Sequence, residues 1–131
     1  MYNKITSLRQ NEATIFSQKV TERLKELSMK SAVFSVEFSK EEKLSLNGVD
    51  KIEFTFSANK GEPLKSMAKV ISGGEMSRLM LALKCEISAL QEIPTYIFDE
   101  IDAGISGKTA KVVGEKLAKI AKNTDVFKFA T

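Results

Sequence analysis

Histidine is absent from the 131 residues, so neither a histidine-ligated metal centre nor a Ser-His-Asp relay can be built within this chain. Cysteine occurs once, as Cys85, which excludes an internal disulfide and agrees with a reducing cytoplasm as the expected compartment. No apolar run approaches the roughly 18 residues that span a bilayer, and no apolar signal region opens the chain. Internal repeats and low-complexity tracts are missing as well. Charge of one sign is scarce: 20 Lys+Arg against 17 Asp+Glu leave +3, too small a surplus to argue for nucleic acid by itself. What remains is an ordinary globular composition, 43% hydrophobic and 28% charged, at the length of one domain or part of one.

Against that background one stretch stands out. Thr95-Tyr96-Ile97-Phe98-Asp99-Glu100-Ile101-Asp102 runs apolar behind Pro94 and then releases three carboxylates within four positions. The run reads as a buried strand. Its terminal acids are too costly to bury unless they are paired, bind a cation or face an opening at the strand's carboxyl end, where open α/β sheets place ligands. Two readings fit: a magnesium-dependent phosphoryl-transfer site with Asp99 as metal ligand and Glu100 as base, or a strand end whose acids are simply solvated.

From roughly Ile5 to Met29 there is no Gly or Pro, and Leu8, Ala13, Phe16, Val20, Leu24 and Leu27 recur at mostly three- and four-residue steps. One long helix follows, with Arg9, Gln10, Lys19, Glu22, Arg23 and Lys25 for its wet side. It is either packed on its own domain or the end of a coiled-coil arm, so residues 1–30 form a candidate unit apart from 31–131. Val33 to Ser39 alternates as a half-buried strand, a charged connector runs from Lys40 to Lys43, and Asn47-Gly48 marks a turn. A second strand, Ile52 to Phe56, carries Ile52, Phe54 and Phe56 on one face, which predicts an antiparallel ribbon. Ala58 to Pro63 then opens a loop reaching Val70.

Ser72-Gly73-Gly74-Glu75 starts a helix to about Leu90, with Met76, Met80, Leu83, Ile87 and Leu90 on its inner stripe. Ser72 and Glu75 have capping-box spacing, which accounts for both without further function. The glycines are not accounted for, since each weakens a first turn by roughly 1 kcal/mol relative to Ala. Glycines at a helix N-terminus let an anion reach backbone donors and the positive dipole end, so phosphate is the natural ligand. After the acidic stretch, Ala103-Gly104-Ile105-Ser106-Gly107 turns into a helix with Ala110, Val113, Leu117 and Ile120 inward. Lys108, Lys111, Lys116, Lys119 and Lys122 cover its remainder, a solvated face or, alternatively, a DNA contact. Asp125 to Ala130 closes as a strand. The expected order is α-β-β-α-β-α-β, with parallel strands and helical crossovers in the second half.

A Ser-Gly-Gly-Glu helix start followed about two dozen residues later by a strand ending Asp-Glu is more specific than either alone. Ser72-Gly73-Gly74-Glu75-Met76-Ser77-Arg78 resembles the signature motif of ABC-type ATPases, and Tyr96 to Glu100 resembles their Walker B strand. Ile101 to Gly107 is similar to the D-loop that follows it. Glu75, together with Asp-Glu-Ile-Asp, points to the SMC-like chromosome-maintenance branch. Ser57 to Leu64, Asp99 to Gly107 and the long first helix resemble, within it, the RecN family of double-strand-break repair ATPases.

The resemblance implies an α/β fold, the C-terminal lobe of a P-loop, ABC-type head. It implies ATP and Mg2+ as cofactors, with Asp99 holding the magnesium through water and Glu100 orienting or deprotonating the attacking water. Ser72, Gly73, Gly74 and Glu75 would form the signature side, clamping the γ-phosphate of a nucleotide held mainly by a second subunit, and Asp102 would reach that subunit. Arg78 is open between phosphate-side electrostatics and a structural ion pair. The implied partners are ATP, DNA, an N-terminal Walker A lobe of the same protein and a second head in a homodimer, with no membrane and a nucleoid-associated place in the cytoplasm. No Gly-x-x-x-x-Gly-Lys-Ser/Thr occurs, so the phosphate cradle is not in this chain. The expectation is a portion of a head that is inactive alone. Other readings are an SMC-like chromosome-organising head and a non-catalytic module completing another protein's ATP site.

Overall fold

The computed structural model describes residues 2–69, 73–90 and 92–129. Helix α1, Tyr2–Glu26, is the expected long helix. Its apolar stripe is used unevenly: Val20, Leu24 and Leu27 are wholly buried, whereas Leu8, expected on the inner face, is 57% exposed. The N-terminal half is held by polar contacts instead. Thr6 Oγ1 and Arg9 Nη1 donate to the Asp50 carboxylate at 2.7 and 2.8 Å.

Strands β1, Val33–Ser45, and β2, Gly48–Ser57, form the expected antiparallel ribbon, with Phe34 opposite Phe56 and Val36 opposite Phe54. Phe16 of α1 packs edge-on against Phe34, centroids 5.8 Å apart, and Phe54 lies 5.4 Å from Phe34. Burying a ring like Phe34, 2% exposed, is worth about 1.5–3 kcal/mol. The charged connector expected at Lys40 to Lys43 is strand, because the ladder continues through Lys40 opposite Asp50, a favourable cross-strand charge pair, before its register shifts ahead of Ser45. The bend falls at residues 46–47. The loop expected after Ala58 contains β3, Lys65–Ser66, paired to β2, and a 3-10 turn, Met67–Lys69.

Helix α2, Gly73–Ile87, strand β4, Thr95–Asp99, helix α3, Gly107–Ile120, and strand β5, Asp125–Phe129, complete an α/β architecture in the expected order, with β3 added. β4 and β5 pair in parallel, Thr95 opposite Asp125 through Asp99 opposite Phe129, with α3 as the crossover. Three expectations fail here. Leu90 is 83% exposed, because a 3-10 turn, Ser88–Leu90, carries it out of phase; the buried set on α2 is Arg78, Leu79, Leu81, Ala82 and Leu83. On α3, Ala110 is exposed and Lys116 is only 9% exposed, packed inward with Val113 and Ile120. β4 buries only one face: Tyr96 and Phe98 point inward, whereas Ile97 is 66% exposed.

Ion pairs tie the helices together. Arg23 Nε meets Glu86 at 2.8 Å, and Lys116 Nζ meets Glu26. The Lys116 hydrogen bond holds the Glu26 carboxyl below its ordinary value despite partial burial. Among the described residues, no helix is long and apolar enough to cross a membrane.

Candidate functional site

The carboxyl end of β4 and the N-terminus of α2 meet because helix and strand run back along each other. Ser77 Oγ of α2 donates to the Asp99 carbonyl, fixing the strand end to the helix one turn in. Beyond Asp99 the chain bends sharply. Glu100 has φ +52, a left-handed conformation that costs a non-glycine residue about 1–2 kcal/mol. Such strain persists only where the surroundings enforce it, and it concentrates at functional sites. Here the Ala103 N–H returns to the Glu100 carbonyl at 3.0 Å, and Ile101 is wholly buried.

The glycines acquire a local reason. A Cβ on Gly73 would overlap the Glu100 carboxylate, and one on Gly74 would lie 3.0 Å from both Ala103 Cβ and Arg78 Nη1. Glu100 therefore lies against the first residue of α2, where the helix dipole favours negative charge. Asp99 is exposed at the strand end. Asp102 sits in the turn with Lys128 Nζ of β5 at 3.0 Å; that hydrogen bond, helped by its own amide, holds the Asp102 carboxyl below the usual carboxylate range.

Gly73, Gly74, Glu75, Asp99, Glu100 and Asp102 are thus gathered at one end of the molecule. Ser72, and with it the capping box, lies outside the described residues. Glu75 is half-buried in the first turn of α2, and its charge acts on Arg78. Sequence reasoning missed Ser77 and Lys128, and it did not foresee that Arg78, 7% exposed, donates to backbone carbonyls. A signal existed in the four-residue step from Gly74 to Arg78, which places both on one helical face. Among the described residues, no group of three Asp, Glu, His or Cys side chains forms a metal cage. A lone outward carboxylate such as Asp99 nevertheless fits Mg2+, which keeps several waters and is shared with substrate phosphates.

The fold is one shared with part of the head domains of SMC proteins. A Smc head domain with an extended coiled coil, bound to the C-terminal domain of ScpA and derived from Pyrococcus furiosus, superposes with a TM-score of 0.59 at 23% identity, covering 95% of this chain and 29% of that one. A Smc head domain with a coiled coil and joint from Pyrococcus yayanosii gives 0.58 at 22% identity, covering 98% and 24%. At such identities the likeness concerns the fold alone.

Sequence similarity is more particular. The chain is 45% identical over 123 residues to the DNA repair protein RecN of Haemophilus influenzae and 36% identical over 137 residues to that of Bacillus subtilis, matching 93% of its length in each case. The likeness is to a C-terminal part of RecN: the chain spans 22% and 24% of the length of these curated relatives. No family model matches it.

Proposed function

We propose that this chain is the C-terminal lobe of an ATPase head in a DNA-repair protein, contributing to composite ATP sites that close when two heads dimerise. The observation that carries the reading is the convergence of a glycine-led helix N-terminus with a strand end whose Glu100 is held in left-handed backbone. Asp99 is the residue that would hold Mg2+. Glu100 is placed to orient or deprotonate the attacking water, the task of a positioned carboxylate in phosphoryl transfer. Gly73 and Gly74, with Ser72 and Glu75, present backbone donors and the helix dipole to a γ-phosphate held mainly by a second subunit. Asp102 exchanges Lys128 for a partner on that subunit. Bound Mg-ATP supplies the transferable phosphoryl group and neutralises its charge.

A Walker A lobe of the same protein supplies the phosphate cradle and covers the outer face of β4 and β5, where Ile97 and Phe127 are 66% and 55% exposed. α1, packed on the lobe through Val20, Leu24 and Leu27, is the base of a coiled-coil arm. The intact protein works on DNA in the cytoplasm, associated with the nucleoid, as the repair role in the relatives' name suggests. Glu100→Gln in the intact protein tests the central assignment. ATP-bound dimers should accumulate on size exclusion while hydrolysis is largely abolished; wild-type turnover would remove Glu100 from the role of base.

A further inference from the structure

Arg78 is a cation placed where the helix buries its apolar side chains. It stands beside Leu79, which is wholly buried, and is itself 7% exposed. Its Nη1 donates to the Ala103 carbonyl at 2.8 Å and lies 3.5 Å from that of Ile101. Its Nε is fully buried and has no hydrogen-bond partner among the described residues. Desolvation lowers the guanidinium pKa, and the charge of Glu75 opposes that only in part. Burying a charge is expensive, and an apolar side chain of the same volume is often the more stable choice at such a place. Packing alone therefore does not explain an arginine here.

The geometry suggests what does. The carbonyls that Arg78 grips belong to the turn that carries Glu100 and Asp102. The grip is made from about one helical turn beyond Gly74. There is no slack between them, since a Cβ at Gly74 would come within 3.0 Å of Arg78 Nη1 and 3.1 Å of the Ala103 carbonyl oxygen. We propose that Arg78 is a positioning residue that locks the Glu100–Gly104 turn to the first turn of α2, so that the phosphate-clamp side and the base side of the chain move as one body. This rests on the ATPase reading for the meaning of the two sides. On that reading they serve different nucleotides, so the lock transmits occupancy of one composite site to the other.

The test uses the intact protein with Arg78→Lys and Arg78→Met. Lysine keeps the charge but presents a point donor in place of the planar fork, and it does not span two carbonyls in fixed geometry. Amide exchange at Ala103, whose N–H closes the turn on Glu100, should accelerate at least tenfold in Arg78→Lys. The kcat for ATP should fall about tenfold, as expected for a displaced catalytic group, with KM within twofold and the Hill coefficient moving toward one. If Arg78→Met folds poorly, Arg78→Lys alone decides. Unchanged protection at Ala103 overturns the lock. A loosened turn with unchanged kcat and Hill coefficient per folded molecule overturns the positioning role and leaves Arg78 as merely structural. A loosened turn alongside full ATP turnover by Glu100→Gln upholds the lock and sinks the ATPase assignment instead.

Discussion

Gly73→Ala should separate folding from chemistry. The added methyl overlaps the Glu100 carboxylate, which is the far end of a flexible side chain, and the carboxylate must retreat by roughly 1 Å to restore van der Waals contact. Retreat forfeits a charge–dipole interaction of about 0.3–1 kcal/mol. Alanine in place of glycine in the helix returns about 0.5–1 kcal/mol. The two nearly cancel, so the urea midpoint should stay within about 0.5 kcal/mol of wild type. Turnover should not: a catalytic group displaced by about 1 Å costs on the order of 10²-fold. Gly74→Ala is the control. There the methyl meets the Ala103 backbone carbonyl at 3.1 Å and Ala103 Cβ at 3.0 Å, neither of which can swing away, and overpacking of this kind costs about 1–3 kcal/mol. Steady-state ATP hydrolysis by the intact protein and urea unfolding, measured on both variants, complete the comparison. Full turnover in Gly73→Ala, or a loss of stability as large as that of Gly74→Ala, would refute the reasoning.

Two further outcomes follow from single residues. Glu100→Gly removes a left-handed non-glycine residue, and after subtraction of glycine's extra freedom in the unfolded chain and of the lost charge–dipole interaction it should leave stability within about 0.5 kcal/mol of wild type while abolishing hydrolysis; a loss of more than about 1 kcal/mol on urea titration would show that the φ of +52 is not strained. Glu26 has its carboxyl pKa depressed by Lys116, so the folded protein binds its proton more weakly than the unfolded chain. The contribution is complete above the ordinary value of 4.5 and vanishes as pH falls through the lower folded value. With the carboxylate side chain 45% exposed, screening limits it to about 0.5–1 kcal/mol; Glu26→Gln should trail wild type by that amount at pH 7 and match it in strong acid, and a gap that persists into acid would refute the pairing.

The sequence was most legible where local rules and tertiary packing agree. The antiparallel ribbon followed from alternation in Val33 to Ser39 and Ile52 to Phe56, and the parallel pairing of β4 with β5 followed from a helix between two apolar strands. It was least legible where a charge lies on a buried face. Lys116 falls three residues after Val113 and four before Ile120, on the apolar stripe, yet its type assigned it to water; Glu26 of α1, ninety residues away in the chain, is what permits its burial. Arg78 is the same case, with carbonyls in place of a carboxylate. Leu90 was misplaced because a stripe extrapolated at 3.6 residues per turn loses phase in a 3-10 turn. In the candidate site, the acids and glycines were visible as motifs. The left-handed Glu100 and the fit of Gly73 against it were not, because both depend on how helix and strand meet.

The uneven burial of α1 has a mechanical consequence. Its 25 residues extend about 37 Å, and its wholly buried anchors, Val20 and Leu24 with Leu27 just past its end, lie at the C-terminal end, with the partly buried Phe16 packed on Phe34 at mid-length. It is a lever with its fulcrum beside Glu86 and Lys116, on the two helices that flank the candidate site. A tilt of about 5° at Leu24 displaces the Tyr2 end by roughly 3 Å, at the 1.5 Å rise of an α-helix. The Arg9–Asp50 pair, 2.8 Å long, braces the outer half of the lever against the ribbon, so torque applied at the far end is carried by helix and hairpin together.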